Sequence, residues 1–435
     1  MNWIASICGF GLLATAIFQA AYFAIFRWKV ASTSSQTINP DFQPRTAILL
    51  CLRGPDPSIK HCLRALAAQT FTNFELHLVT DCAEDPVIGI AEEVLRSLSN
   101  DQAKGDEEPS PGKHEPIAYH FHVLPTPIPT CGLKNSALIH AISQLSDDVS
   151  VVASLDADAV VSPNWLATLI APLENPKVGI STGNRWFRIP TNQKIGSAVR
   201  AVWNAAAVVQ MYLYQIPWGG SLAIRRDVIN KGGMLDKWSN AFCEDTLLAQ
   251  AVKELGLVVA RPVEVVVVNE ESTSCYSAFR WIRRQLLTVR LHHSRWPLVM
   301  LHGLSVGLPL VCLLVIVWDL FVGSSGQAAT NLLAGLFLFE LFNLGLLIGI
   351  HQTHKILLRR AGDKESSHTN ELYWYAMALP LTQAIHFAAT ISAVLARKVS
   401  WRQIEYRIGK SKIELIEYRP FVSDAEQGVE QHSID

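Results

Sequence analysis

Residues 3–26, WIASICGFGLLATAIFQAAYFAIF, run without a charge and then meet Arg27 and Lys29. About 20 apolar residues in a helix cross the hydrocarbon core of a bilayer, so this stretch dictates that the rest of the chain folds beside a membrane. A cleavable signal peptide is the competing reading. It calls for a basic start and an apolar core of about 7–15 residues, whereas this chain starts MNW and carries its basic residues after the run. Positive charge just past a span marks the cytoplasmic side. The expectation is an uncleaved anchor over residues 1–28 with the following domain in the cytoplasm.

Three further apolar runs, 298–322, 330–350 and 375–396, lie near the C-terminus. They account for a composition that is 49% hydrophobic and only 17% charged, too apolar for an ordinary soluble enzyme. Basic residues border these runs: Arg280, Arg283, Arg284, Arg290 and Arg295 before the first, Lys355, Arg359 and Arg360 after the second, and Arg397, Lys398, Arg402 and Arg407 after the last. Such clusters are attracted to anionic headgroups of the cytoplasmic leaflet. Three full crossings would leave the last cluster outside, and Pro309, Glu340 and Asn343 interrupt two of the runs, so the parity stays open. The net charge of −1 points to no nucleic-acid partner, and the eight cysteines show neither a CxxC pair nor zinc spacing.

Between the anchor and these runs, short apolar segments alternate with helical spacing. TAILLCL (46–52), ELHLVTD (75–81), IAYHFHVL (117–124) and VSVVASLDAD (149–158) read as strands, and 56–70, 86–98 and 133–145 as helices. The segment 99–116 is polar and Pro-bearing and reads as a surface loop. Strands that are nearly all apolar, alternating with helices, predict an α/β domain with a mostly parallel sheet covered on both faces. Ligands bind beyond the carboxyl ends of such strands. Two of those ends carry acids, Asp81 on the second strand and Asp156 and Asp158 on the fourth.

In extended backbone, residues i and i+2 face the same side, so Asp156 and Asp158 can share one site. Hard carboxylate oxygens suit Mg2+ or Mn2+, which usually also bind substrate phosphates. The bland alternative is an acid pair that caps the next helix, although Ser162 before Pro163 offers a better N-cap there.

The order LVTDCAEDPVI, GLKNSAL (132–138), SLDADAVVSPNWL, WGGSLAIRRDVI (218–229) and FCEDTLLAQAV resembles glycosyltransferase family two. It is most similar to the ceramide-glucosyltransferase-like branch, which includes bacterial lipid glycosyltransferases. The resemblance covers roughly residues 44–300. It implies a GT-A fold at 44–275, a basic interfacial helix at 276–297, a membrane region at 298–396 and a basic then acidic cytoplasmic tail at 397–435. Carried over, Asp81 contacts the nucleoside, Lys134 lies near the uracil or phosphates, and Asp156 and Asp158 face ribose and metal. Asp245 is the catalytic base, with Glu244 as its neighbour and substitute. Trp218, Gly219 and Gly220 line the acceptor or sugar, where glycine permits close backbone approach.

One segment departs from the family pattern. The (Q/R)xxRW element on the interfacial helix here reads FRWIRRQLLTVRLHHSRWP (279–297). In one register its tryptophan is replaced by arginine, and in the other both arginine and tryptophan are lost. Arg283 and Arg284 can still clamp a diphosphate, and a basic helix lying on lipid is compatible with that. VSWRQIEYRI (399–408) resembles the W-x-x-x-x-Y element that follows the last membrane run in this branch.

The resemblance implies an inverting, metal-dependent transferase moving a hexose from a nucleotide-sugar, UDP-linked, to a lipid hydroxyl at the cytoplasmic leaflet. A processive polysaccharide synthase and a non-catalytic membrane scaffold that kept the fold are the alternatives. Few spans and the altered RW element count against the first, and the presence of every acid against the second.

Overall fold

The computed structural model describes residues 2–103, 117–190, 194–322, 326–362, 371–410 and 412–421. Most of the expected loop at 99–116, and the acidic end of the expected tail, lie outside the described residues.

The N-terminal run forms helix α1 (Asn2–Ser32). The α/β domain then proceeds through β1 (Thr46–Cys51), α2 (Ile59–Ala67), β2 (Phe74–Thr80), α3 (Pro86–Ala103), β3 (Ala118–Val123), α4 (Leu133–Ser143) and β4 (Val151–Leu155). Every strand and helix read from periodicity in this half is present. The five residues Thr46–Leu50 of β1 are buried, as a central strand covered on both faces requires. On α2, Ile59, Cys62, Leu63 and Leu66 form one apolar stripe against the sheet.

The second half adds α5 (Trp165–Ile170), β5 (Val178–Thr182), β6 (Asn184–Phe187), α6 (Ile195–Tyr214), β7 (Ser221–Arg225), α7 (Arg226–Lys231), α8 (Met234–Trp238), α9 (Leu248–Glu254), β8 (Val258–Ala260) and β9 (Val266–Asn269). Helix α5 starts at Trp165 with Asn164 at its cap, so the expected Ser162 cap does not form. Seven strands make one sheet in the order β3-β2-β1-β4-β7-β5-β8. Strands β1 to β4 run parallel, and β7 is antiparallel to both β4 and β5.

Helix α10 (Cys275–His292) packs beside α6, and α11 (Trp296–Ser305) and α12 (Leu308–Val322) divide the first C-terminal apolar run just before Pro309. Then come α13 (Gln327–Arg360) and α14 (Glu371–Leu395). Four helical stretches are long and apolar enough to cross a membrane: Trp3–Ser32, Trp296–Val322, Gln327–Arg360 and Glu371–Leu395. Both ends of α14 nevertheless lie against the α/β domain. Glu371 sits 3.4 Å from His351, whose neighbour His354 stacks on Trp186 of β6. At the other end, Arg290 of α10 donates to the carbonyls of Ala393 and Ala396 at 2.6 and 3.1 Å. Helix α14 is thus held at its first turn by α13 and at its last by α10.

Residues 398–417 are more than a polar tail. They form β10 (Lys398–Trp401), β11 (Ile404–Ile408) and β12 (Ile413–Glu417), an antiparallel sheet. Its buried Val399, Ile404, Tyr406, Ile408 and Ile413 share one cluster with Leu287 and Leu291 of α10 and with Leu133 of α4. Apolar residues at alternate positions of β11 could not stay in water, and this cluster is where they go.

Candidate active site

The antiparallel β4–β7 register pairs Leu155 with Ser221, which sets Trp218-Gly219-Gly220 beside the acids that end β4. Asp156 N–H donates to the Gly220 carbonyl at 3.2 Å. Glu244 and Asp245 arrive on the loop after α8, where the Trp238 indole holds the Glu244 carbonyl at 2.8 Å. Gly219 N–H donates to Asp245 Oδ2 at 2.9 Å. Lys134, in the first turn of α4, places Nζ 2.8 Å from Asp156 Oδ1 and 2.7 Å from Glu244 Oε1. Arg185 of β6 reaches both acids of the DAD segment from one nitrogen, at 2.7 Å from Asp156 Oδ2 and 3.5 Å from Asp158 Oδ1. Thus four carboxylates from two distant segments meet around two cations.

The glycines serve this convergence directly. A side chain at 219 would overlap the Glu244 carboxylate, and one at 220 would overlap Asp156 and the Trp218 ring. Arg185 lies 4.7 Å from the Trp218 ring centroid, so a guanidinium faces the indole that sequence reasoning set against a sugar.

Asp81 follows β2, next to the end of β1. Arg53, just past β1, forms a buried ion pair with Asp81 Oδ2, and the Tyr418 hydroxyl donates to the same oxygen at 2.9 Å. Asp81 Oδ1 is buried without a hydrogen-bond partner among the described residues. Both arginines proposed on α10 line the same cavity as the acids, and Arg284 lies 5.9 Å from the Trp401 ring of β10. Arg283 donates to the Lys398 carbonyl at 3.0 Å and so ties α10 to β10.

One cavity of about 1210 Å³ joins these groups. Its lining includes Arg53, Gly54 and Asp81, the acids Asp156, Asp158 and Asp245, Met211 of α6, and Val299 and His386 of the apolar helices α11 and α14. Charged side chains and residues of α6, α11 and α14 thus share one cavity wall.

The sequence profile of glycosyl transferase family 21 matches residues 127–413, about two thirds of the chain and all of the acids except Asp81. The chain belongs to glycosyl transferase family 21. That is the ceramide-glucosyltransferase-like branch expected from the order of the motifs, within the GT-A superfamily. Among solved structures, a mannosyltransferase from Pyrobaculum calidifontis in complex with GDP-Man and Mn2+ is similar at 15% identity and a TM-score of 0.47, over 89% of this chain and 99% of that one. Glucosyl-3-phosphoglycerate synthase from Mycobacterium tuberculosis, in complex with Mn2+, UDP and glucosyl-3-phosphoglycerate, is similar at 13% identity and a TM-score of 0.34, over 57% and 78%. No curated protein matches the chain.

In this family 21 glycosyltransferase the acids have been driven apart electrostatically. Burial and the adjacent Glu244 charge push Asp245 up to about 6. Burial also acts on Asp156, but Lys134 and Arg185 outweigh it and hold that carboxylate at about 2. Asp158 is raised, by burial first, against the pull of Arg185. A permanently ionised acid beside one poised near neutrality is the arrangement expected where one holds charge and the other moves a proton.

The chemistry of the Asp156–Asp158 pair fits a hard divalent cation: two carboxylates on the cavity wall already share one cationic nitrogen. A different group, Glu75, His77 and His120, also brings metal-capable atoms within 4.8 Å of one another, but at the other end of β2. There His77 Nε2 bonds Glu75 at 3.0 Å, its Nδ1 bonds His122 at 2.8 Å, and Arg45 takes Glu75 Oε2 at 2.7 Å. Glu75 and His77 are thus already engaged by each other and by Arg45 and His122.

Arg53, Arg185, Tyr418 and Trp401 escaped sequence reasoning as site residues. Arg53 had a usable signal, a basic residue at the carboxyl end of a central parallel strand. Arg185 had none beyond a charge inside an apolar segment.

Proposed function

We propose that this glycosyltransferase moves a hexose from a UDP-linked donor to a lipid hydroxyl at the cytoplasmic leaflet, with inversion. The observation that carries the acceptor class is the continuity of the cavity. The space lined by these carboxylates is also lined by Val299 and His386 of the apolar helices, so an amphiphile can keep its chain against them while its hydroxyl reaches Asp245. A soluble acceptor would leave that apolar lining unexplained.

Asp245 takes the hydroxyl proton as the oxygen bonds to the anomeric carbon and the sugar–phosphate bond breaks. Its carboxyl, at about 6, is ionised at neutral pH yet basic enough to accept that proton. Gly219 N–H fixes the Asp245 orientation through Oδ2. Lys134 holds Asp156 and Glu244 in place, and Glu244 keeps Asp245 basic through its charge. On the donor side Asp81 is the acceptor for the base. Arg284, beside the cavity, offers positive charge to the diphosphate. Asp156 and Asp158 would hold Mg2+ or Mn2+, which when bound neutralises charge on the departing diphosphate. The basic residues clustered beside the apolar helices support the cytoplasmic orientation.

The test uses purified full-length protein with Mn2+, a panel of radiolabelled nucleotide-sugars and a membrane lipid extract. Label should move into the organic phase, and not with Asp245→Asn. Label that appears only in water-soluble products would refute the lipid acceptor.

A further inference from the structure

The described residues after the last apolar helix, up to Phe421, reach Arg53 and Asp81 at one side of the cavity. Trp401, Arg402, Tyr406 and Phe421 all line it. The two-residue turn between β10 and β11, Arg402-Gln403, holds both residues in the left-handed region, at φ 42° and 66°. Such turns ordinarily carry Asn or Gly. Here the conformation presents the Arg402 carbonyl to Arg53 Nε at 3.2 Å, and the Arg402 guanidinium donates back to the Arg53 carbonyl. Arg53 also donates to the Arg419 carbonyl at 2.6 Å. One buried arginine at the end of β1 therefore grips the C-terminal segment at two points, while its remaining nitrogen holds Asp81.

Tyr418 completes the arrangement from the other side. With Arg53 and the Tyr418 hydroxyl both on Asp81 Oδ2, that oxygen is committed, and Oδ1 is left buried with no donor among the described residues. Phe421 lies against Gly54, whose φ of +72° and lack of a side chain admit the ring. A fixed, unpaired carboxylate oxygen beside an aromatic ring suits a planar base with a ring N–H, as in uracil or guanine. An unpartnered buried acceptor is costly until such a donor arrives.

We propose that Trp401, Arg402, Tyr406 and Phe421 form the base-side wall of the donor pocket, with Tyr418 as the positioning residue that aims Asp81 at the nucleobase. The proposal rests on the reading of the cavity as a nucleotide-sugar site. Tyr418 touches Asp81 rather than the reacting atoms, so its contribution lies in nucleoside affinity. Affinity for the diphosphate is independent of it.

Isothermal titration of full-length protein with UDP, GDP and inorganic pyrophosphate, each with Mn2+, tests this. Tyr418→Phe keeps the ring and removes only the hydroxyl. It should weaken the nucleotide that the wild type binds by about five- to tenfold and raise donor KM by a similar factor. Pyrophosphate affinity and acceptor KM should not change. Phe421→Ala should act in the same direction. Equal nucleotide binding by wild type and both variants overturns the proposal. So does a parallel loss of nucleotide and pyrophosphate binding, which would mark a merely structural role. A wild type that binds neither nucleotide overturns the donor reading itself, a result distinct from either.

Discussion

Replacing Asp245 with asparagine should abolish transfer and, at the same time, stabilise the protein. The side chain accepts Gly219 N–H at 2.9 Å, and asparagine can keep that bond through its carbonyl oxygen. What changes is the charge. Burial, then the Glu244 charge, raise the carboxyl from its ordinary 3.8 to about 6. The folded protein thus binds this proton more tightly than the unfolded chain does. Its contribution to stability is complete below 3.8 and is lost as pH rises through about 6. At pH near 8 the wild type carries an ionised group in an unfavourable place, at a cost of roughly 3 kcal/mol. Asparagine removes it. Thermal unfolding in detergent, followed from about pH 4 to 8, should show a midpoint for Asp245→Asn that exceeds wild type at the alkaline end and converges with it at the acid end. Turnover should fall by about 10²–10⁴-fold, the usual size of a general base contribution. A variant with near-normal turnover would remove Asp245 from the role of base. A midpoint equal to or below wild type at pH 8 would refute the electrostatic description of its surroundings.

Asp158→Ala should weaken Mn2+-dependent UDP binding by at least about tenfold, read by titration with and without EDTA; an unchanged isotherm excludes it from the metal shell. Gly219→Ala places a methyl group on the Glu244 carboxylate, so it should cost about 1–3 kcal/mol in unfolding and most of the activity. A silent substitution there would mean that the loop adjusts freely. Lys134→Met removes a positive charge that lowers the Asp245 pKa, so the acid limb of the pH–rate profile, near 6 in the wild type, should move to higher pH. A limb that stays in place or moves down would show that Lys134 does not act on the base.

The expected role of Lys134 near the uracil or phosphates becomes more specific in the fold. Its amine sits between Asp156 and Glu244, where it organises acids before any substrate arrives. The expected aromatic of the (Q/R)xxRW element has a counterpart of another origin. Arginine stands in the tryptophan position on α10, and Trp401 from β10 supplies a ring beside Arg284. Sequence comparison along one helix could not find it, because the ring belongs to a strand more than a hundred residues further on.

By itself the sequence determined the alternation of strands and helices, the membrane runs, and which strand ends carry acids. Each is written in the spacing of apolar residues over a few turns or a single strand, and burial enforces that spacing locally. The tertiary structure alone decided which acid meets which cation, that both ends of α14 lie at the α/β domain, and that the chain past 397 folds back onto Arg53 and Asp81. Pairing of charges depends on distance in space, and a linear pattern holds no trace of it until the sheet order and the helix packing bring the partners together.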